Sequence, residues 1–124
     1  MNSSSPFKGK TGIKRVLNAT GYSFSGFKAA FQNEAAFRQI VYINLILIPI
    51  SFYLNVSRIE QALMITVCLL AMIVELFNSA IEAVVDRILL EHHQLSKIAK
   101  DMGSAAQFVA LSIIVISWAI ILVH

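Results

Sequence analysis

The chain has 124 residues, 57% of them hydrophobic and 14% charged, with a formal net charge of +3 and a mean hydropathy of +0.72. That is a membrane composition, and it leaves too little polar chain outside the apolar runs for a separate soluble catalytic domain. A pI near 9.3 raises nucleic acid as a partner, but the cations follow membrane topology rather than a groove-binding pattern, so no nucleic acid is expected.

The first stretch, residues 1–11, has neither an apolar core nor a cleavage-site pattern, so it is no signal peptide and is expected to be disordered. From Gly12 to Asn33 the apolar positions Ile13, Val16, Leu17, Phe24, Phe27 and Phe31 recur at helical intervals, with Lys14, Arg15, Asn18 and Lys28 on other faces. The pattern predicts an amphipathic surface helix over 12–33, bent or broken around Gly21, lying among lipid headgroups. Three spans are expected to follow, over about 35–54, 62–86 and 101–123, each near the length needed for a hydrocarbon core of roughly 30 Å. Pro49 should kink the first, Asp101 should open the third, and Cys68 reads as a packing residue in the second. The fold class is therefore an all-α membrane protein, with residues 12–124 as one integral-membrane domain.

The second span carries the informative feature. Glu75, Asn78, Glu82 and Asp86 are spaced by three, four and four residues, so on a helix they form one polar stripe along an apolar cylinder. A carboxylate this deep in a bilayer segment is costly unless it faces protein, water or a cation, and it marks function by default. Interhelical glue is the alternative reading. It suits a single Asn better than two glutamates separated by roughly 10 Å along the axis.

Orientation follows from the cations. Lys8, Lys10, Lys14, Arg15 and Lys28 precede the first span, Arg38 lies in its opening turn, and Arg87, Lys97 and Lys100 follow the second. Only Arg58 lies in the other loop. The positive-inside rule then places the N-terminus in the cytoplasm and the C-terminus outside, with the stripe rising to the cytoplasmic surface.

Carboxylates at two depths suit two tasks. Glu82, near the surface, is placed to hold a hard cation such as Mg²⁺, which takes one or two carboxylates and leaves other positions to water and phosphate; Glu34, at the same expected depth, is the natural second ligand. Glu75, deeper and less solvated, suits a general base acting on an alcohol. Together they suit phosphoryl transfer to a lipid hydroxyl. Gly9-Lys10-Thr11 resembles the end of a Walker A loop, but Ser4 stands where its first glycine is required. The glycine-rich loop and catalytic motif of protein kinases are absent too.

Three blocks carry a resemblance: Asn33-Glu-Ala-Ala-Phe-Arg-Gln39, Glu75-Leu-Phe-Asn-Ser-Ala-Ile-Glu-Ala-Val-Val-Asp-Arg87 and Lys100-Asp-Met-Gly-Ser-Ala-Ala106. The chain from about Gly12 onward resembles the bacterial membrane-integral diacylglycerol kinases. The resemblance implies a homotrimer of three-span subunits in the bacterial inner membrane, with active sites shared between neighbours. It implies that MgATP and diacylglycerol are converted to phosphatidic acid in phospholipid recycling. Glu75 would be the base, with Asn78 orienting it, and Glu34 and Glu82 would bind the metal on ATP. Arg15 and Lys100 would neutralise phosphate charge, and Tyr22, Glu91, His93 and Asp101 would help seat the nucleotide. Arg15, Gln39, Glu75, Ser104 and Trp118 are the candidates for contact with the lipid substrate. Plainer roles compete: Arg15 as a lipid anchor, Asp101 as a helix cap, Lys100 as a snorkelling flank, and Ser104 and Trp118 as packing residues. In one departure, the best-known members have an acidic residue after Phe-Arg-Gln where this chain has Ile40, so any auxiliary role there is lost or supplied elsewhere.

Two other functions fit parts of the pattern. Undecaprenol kinase would use the same carboxylates on a polyprenol. A small proton-coupled transporter would use Glu75 as its titrating group but leaves Glu34, Glu82 and Asp86 unexplained.

Overall fold

In the computed structural model the described residues form four helices, α1 (Lys8–Asn33), α2 (Ala35–Ser51), α3 (Arg58–Ile88) and α4 (Gln94–Leu122), and no strand. The structure describes residues 8–88 and 94–123, with side chains described from residue 12. The chain divides into two units, one ending at Asn33 and the other beginning at Glu34.

The described part of the first unit is α1. It runs unbroken through Gly21, where the sequence suggested a bend or break, because one glycine costs a helix only about 1 kcal/mol. Thr20 and Ser23 turn their hydroxyls back onto the carbonyls of Val16 and Ala19, within the helix itself. Ile13, Val16, Leu17, Tyr22 and Phe24 are exposed.

The second unit holds the remaining helices. Glu34 precedes α2 in extended conformation, without a side-chain cap. Pro49 lies two residues from the end of α2 and so closes the helix instead of kinking it midway. Beyond it the chain tightens, with Phe52 and Tyr53 donating to the carbonyls of Pro49 and Ile50, and α2 ends at Ser51. A capping box then starts α3: the Ser57 N–H donates to Glu60 at 2.8 Å, and the Glu60 N–H donates to the Ser57 hydroxyl at 3.1 Å. The helix α4 starts at Gln94, so Asp101 is two turns inside it and is not its cap. Nothing in Gln94–Lys100 breaks a helix, which explains the earlier start.

By length and apolarity α3 and α4 can each cross a membrane. The 17 residues of α2 reach roughly 26 Å, a little less than a hydrocarbon core. In the second unit α3 is central and packs on both α2 and α4. Its buried Met64, Cys68, Ala71, Glu75 and Asn78 recur at intervals of four, three, four and three, as do Gly103, Gln107, Ala110, Ile114, Trp118 and Ile121 on α4 at similar spacings. This is the alternation that brings near-parallel helices together side by side. Ile40 of α2 joins that core, so the position after Phe37-Arg38-Gln39 is here an apolar contact.

Three side chains reach across to the main chain of α3. Asn44 Nδ2 donates to the Cys68 carbonyl at 3.1 Å, Trp118 Nε1 to Met64 at 3.3 Å and Gln107 Nε2 to Ala71 at 3.3 Å. Small residues at 68 and 71 leave those carbonyls open to neighbouring helices, and a polar donor in an apolar seam needs such a partner.

Candidate active site

The polar stripe of α3 begins where the apolar core ends. Glu75 is 2% exposed, Asn78 is 8% exposed, Glu82 is half-buried and Asp86 is exposed. Burial thus falls along the stripe. The deepest carboxylate is not bare: Gln107 Nε2, from α4, donates to Glu75 Oε1 at 2.8 Å. Neither the α3 stripe nor composition pointed to Gln107, which reads in sequence as one polar interruption of an apolar run. Its spacing of four from Gly103 and three from Ala110 is the signal that puts it on the packed face.

Glu75, Asn78 and Glu82 share a groove of about 370 Å³ with Glu34, Ser104 and Gln107, and Phe108 and Leu111 give it an apolar flank. Five of the residues expected to carry the chemistry are thereby brought together: Glu34, Glu75, Asn78, Glu82 and Ser104. The groove is acidic. Glu82 is surrounded by like charges from Glu34, Glu75 and Asp86, opposed by Lys100. Asn78 Oδ1 and Gln107 Oε1 are buried without a hydrogen-bond partner, an unfavourable state for a polar atom.

Asn78 owes its place to Gly103. A Cβ on that residue would collide with the Asn78 carboxamide, its Cγ lying 3.0 Å away and its Oδ1 closer still. Glycine therefore lets the amide lie directly against the α4 backbone.

The other candidates of the second unit do not line the groove. Lys100 pairs with Asp86 at 2.7 Å, linking α3 to α4, and Asp101 pairs with Lys97 at 2.6 Å along α4. Trp118 is buried in the apolar core, and Gln39 is an exposed residue of α2 outside the groove lining. Arg15 and Tyr22 belong to α1 and are exposed. Glu91 and His93 lie outside the described residues. Among the described residues no three His, Cys, Asp or Glu side chains cluster as a ready metal site, so a cation here would have to complete its shell with water or substrate oxygens.

Apolar spanning helices around a buried carboxylate, with two more carboxylates at the same groove, define an integral membrane protein built on an acidic, oxygen-lined site. The chain belongs to the prokaryotic diacylglycerol kinase family, whose model matches residues 21–122. It is 71% identical to the diacylglycerol kinase of Pseudomonas aeruginosa over 120 residues, covering 97% of this chain and 98% of the relative. Against the diacylglycerol kinase of Escherichia coli strain K12 it is 52% identical over 112 residues, 90% and 92% of the two chains. Against that of Helicobacter pylori strain 26695 it is 45% identical over 107 residues, 86% and 84%.

Proposed function

We propose that this protein, a lipid kinase by family, transfers the γ-phosphoryl group of ATP to the free hydroxyl of diacylglycerol, giving phosphatidic acid and ADP. The observation that carries the reading is Glu75, a carboxylate 2% exposed in a groove with an apolar flank and two further carboxylates. Its carboxylate takes the proton of the lipid hydroxyl. The hydroxyl oxygen bonds to the γ-phosphorus as the bond from that phosphorus to the β–γ bridging oxygen breaks, and ADP leaves. Asn78, one helical turn along, orients the base or the hydroxyl.

The groove chemistry suits Mg²⁺: hard oxygen donors, like charges crowded around Glu82, and two carboxylates, the number this ion commonly takes from protein when phosphates supply the rest. Glu34 and Glu82 would hold it. Bound there, the ion would neutralise charge on the β- and γ-phosphates. Lys100, now paired with Asp86, and Arg15 supply further positive charge for the nucleotide, and Tyr22, Asp101, Glu91 and His93 complete its seat.

The same reading puts α1 among the headgroups, with its exposed apolar side chains inserted and its cations at lipid phosphates. It puts the N-terminus in the cytoplasm of a bacterial inner membrane and the C-terminus outside, from the distribution of Lys and Arg. It also takes the working form to be the homotrimer that the resemblance implies, in which a neighbouring subunit would cover the open groove.

The test is transfer of labelled γ-phosphate from MgATP to diacylglycerol and to undecaprenol, offered separately in mixed micelles. Product on diacylglycerol is expected. Product chiefly on the polyprenol would replace the substrate and keep the mechanism, and folded protein active on neither would overturn the kinase reading.

A further inference from the structure

Gln107 is a carboxamide in the middle of an apolar helix, 9% exposed, and burial of such a group is unfavourable unless it is hydrogen-bonded. Its Nε2 lies 2.8 Å from Glu75 Oε1 and 3.3 Å from the Ala71 carbonyl oxygen. A main-chain carbonyl can only accept, so the amide must turn its NH₂ group toward α3, and its orientation is fixed by that chemistry. One N–H is thus anchored on the rigid backbone of α3, while the other holds a side chain one turn further along the same helix. Apolar residues occupy the neighbouring positions of the same α4 face, Ala110, Ile114 and Ile121, so packing alone does not require an amide at 107.

We infer that Gln107 is a positioning residue of the phosphoryl-transfer site: by binding Glu75 Oε1 it fixes the carboxylate and leaves Oε2 to take the proton of the lipid hydroxyl. The inference rests on the reading of Glu75 as the base. A hydrogen bond to a charged acceptor is short, strong and directional, and the orientation of a base toward the proton it removes is worth more in rate than in substrate binding. The bond acts through Glu75 alone. Loss of the N–H therefore slows the chemical step and leaves the nucleotide and the lipid bound as before.

The variant that isolates the bond is Gln107→Met, which keeps the length of the side chain and removes the donor. Turnover and both KM values would be measured in mixed micelles with MgATP and diacylglycerol, alongside thermal stabilisation of the protein by MgATP. The expected result is a fall in kcat of about tenfold, with each KM within about twofold of the parent and nucleotide stabilisation retained. Gln107→Asn, which keeps an amide but draws its N–H back by one methylene, should show the same split and serves if the Met variant does not fold. A kcat within about twofold of the parent in a folded variant would overturn the inference. So would a loss shared between kcat, both KM values and nucleotide stabilisation, since that pattern belongs to a residue that holds the fold. Glu75→Gln run in parallel separates the two readings: if it retains substantial turnover the base assignment fails, whereas an inert Glu75→Gln beside an unaffected Gln107→Met removes only the role of Gln107.

Discussion

The seam between α3 and α4 has two halves that follow different rules. From Met64 to Ala71, facing Ala110, Ile114, Trp118 and Ile121, it is an apolar interlock in which Met64 and Cys68 are wholly buried. From Glu75 to Asp86, facing Gly103 and Gln107, the spacing of three and four continues, but the side chains become carboxylates and amides, burial falls, and the seam opens into a groove. One helix periodicity thus serves both. The difference teaches that the site is not an insertion into the fold but the same packing face with its side chains exchanged.

That division can be broken from either side. The largest effect should come from Glu75→Gln, which is expected to lower kcat by about 10² to 10⁴-fold, the range of general-base catalysis. MgATP-dependent thermal stabilisation should persist, and a variant with substantial turnover would end the base assignment. Next is Trp118→Ala in the apolar half. It removes a buried ring and its N–H to Met64 and should destabilise the protein by about 3 kcal/mol, read by equilibrium unfolding in detergent, while the folded fraction keeps a normal KM for both substrates. Smaller and more discriminating is Gly103→Ala. The new methyl meets the far end of the Asn78 side chain, not backbone, so the amide can swing aside at little cost, and alanine favours the helix by up to about 1 kcal/mol. Unfolding stability should hold or rise slightly while kcat falls about tenfold through displacement of Asn78. Equal losses in stability and activity would mean that Gly103 serves helix packing alone.

Much of the acidic stripe was legible in the sequence because charged and amide residues stand out against an apolar run, and a period of three and four is enough to assign Glu75, Asn78 and Glu82 to one face. Gln107 and Gly103 were not legible in the same way. Their importance depends on the register between α3 and α4, which no pattern within either helix states. Local breakers also misled: Gly21 lies within an unbroken α1, and Pro49 stands near the end of α2, because the consequence of a single glycine or proline depends on how much helix remains beyond it. Asp101 looked like a helix start because it follows Lys100 at the edge of an apolar run. Hydrogen bonding of the backbone does not end where hydropathy does, and α4 begins at Gln94.

The side chains that reach the carbonyls of Met64, Cys68 and Ala71 have a consequence for how the protein can vary. They make the backbone of α3 a ruler against which both neighbouring helices are set, so the depth at which Glu75 meets Gln107 is fixed by the helix and not by the connections. The turn between α2 and α3 therefore does not set that depth. A single residue gained within α3 between Ala71 and Glu75 would rotate everything after it by about 100° and carry the carboxylate out of its groove.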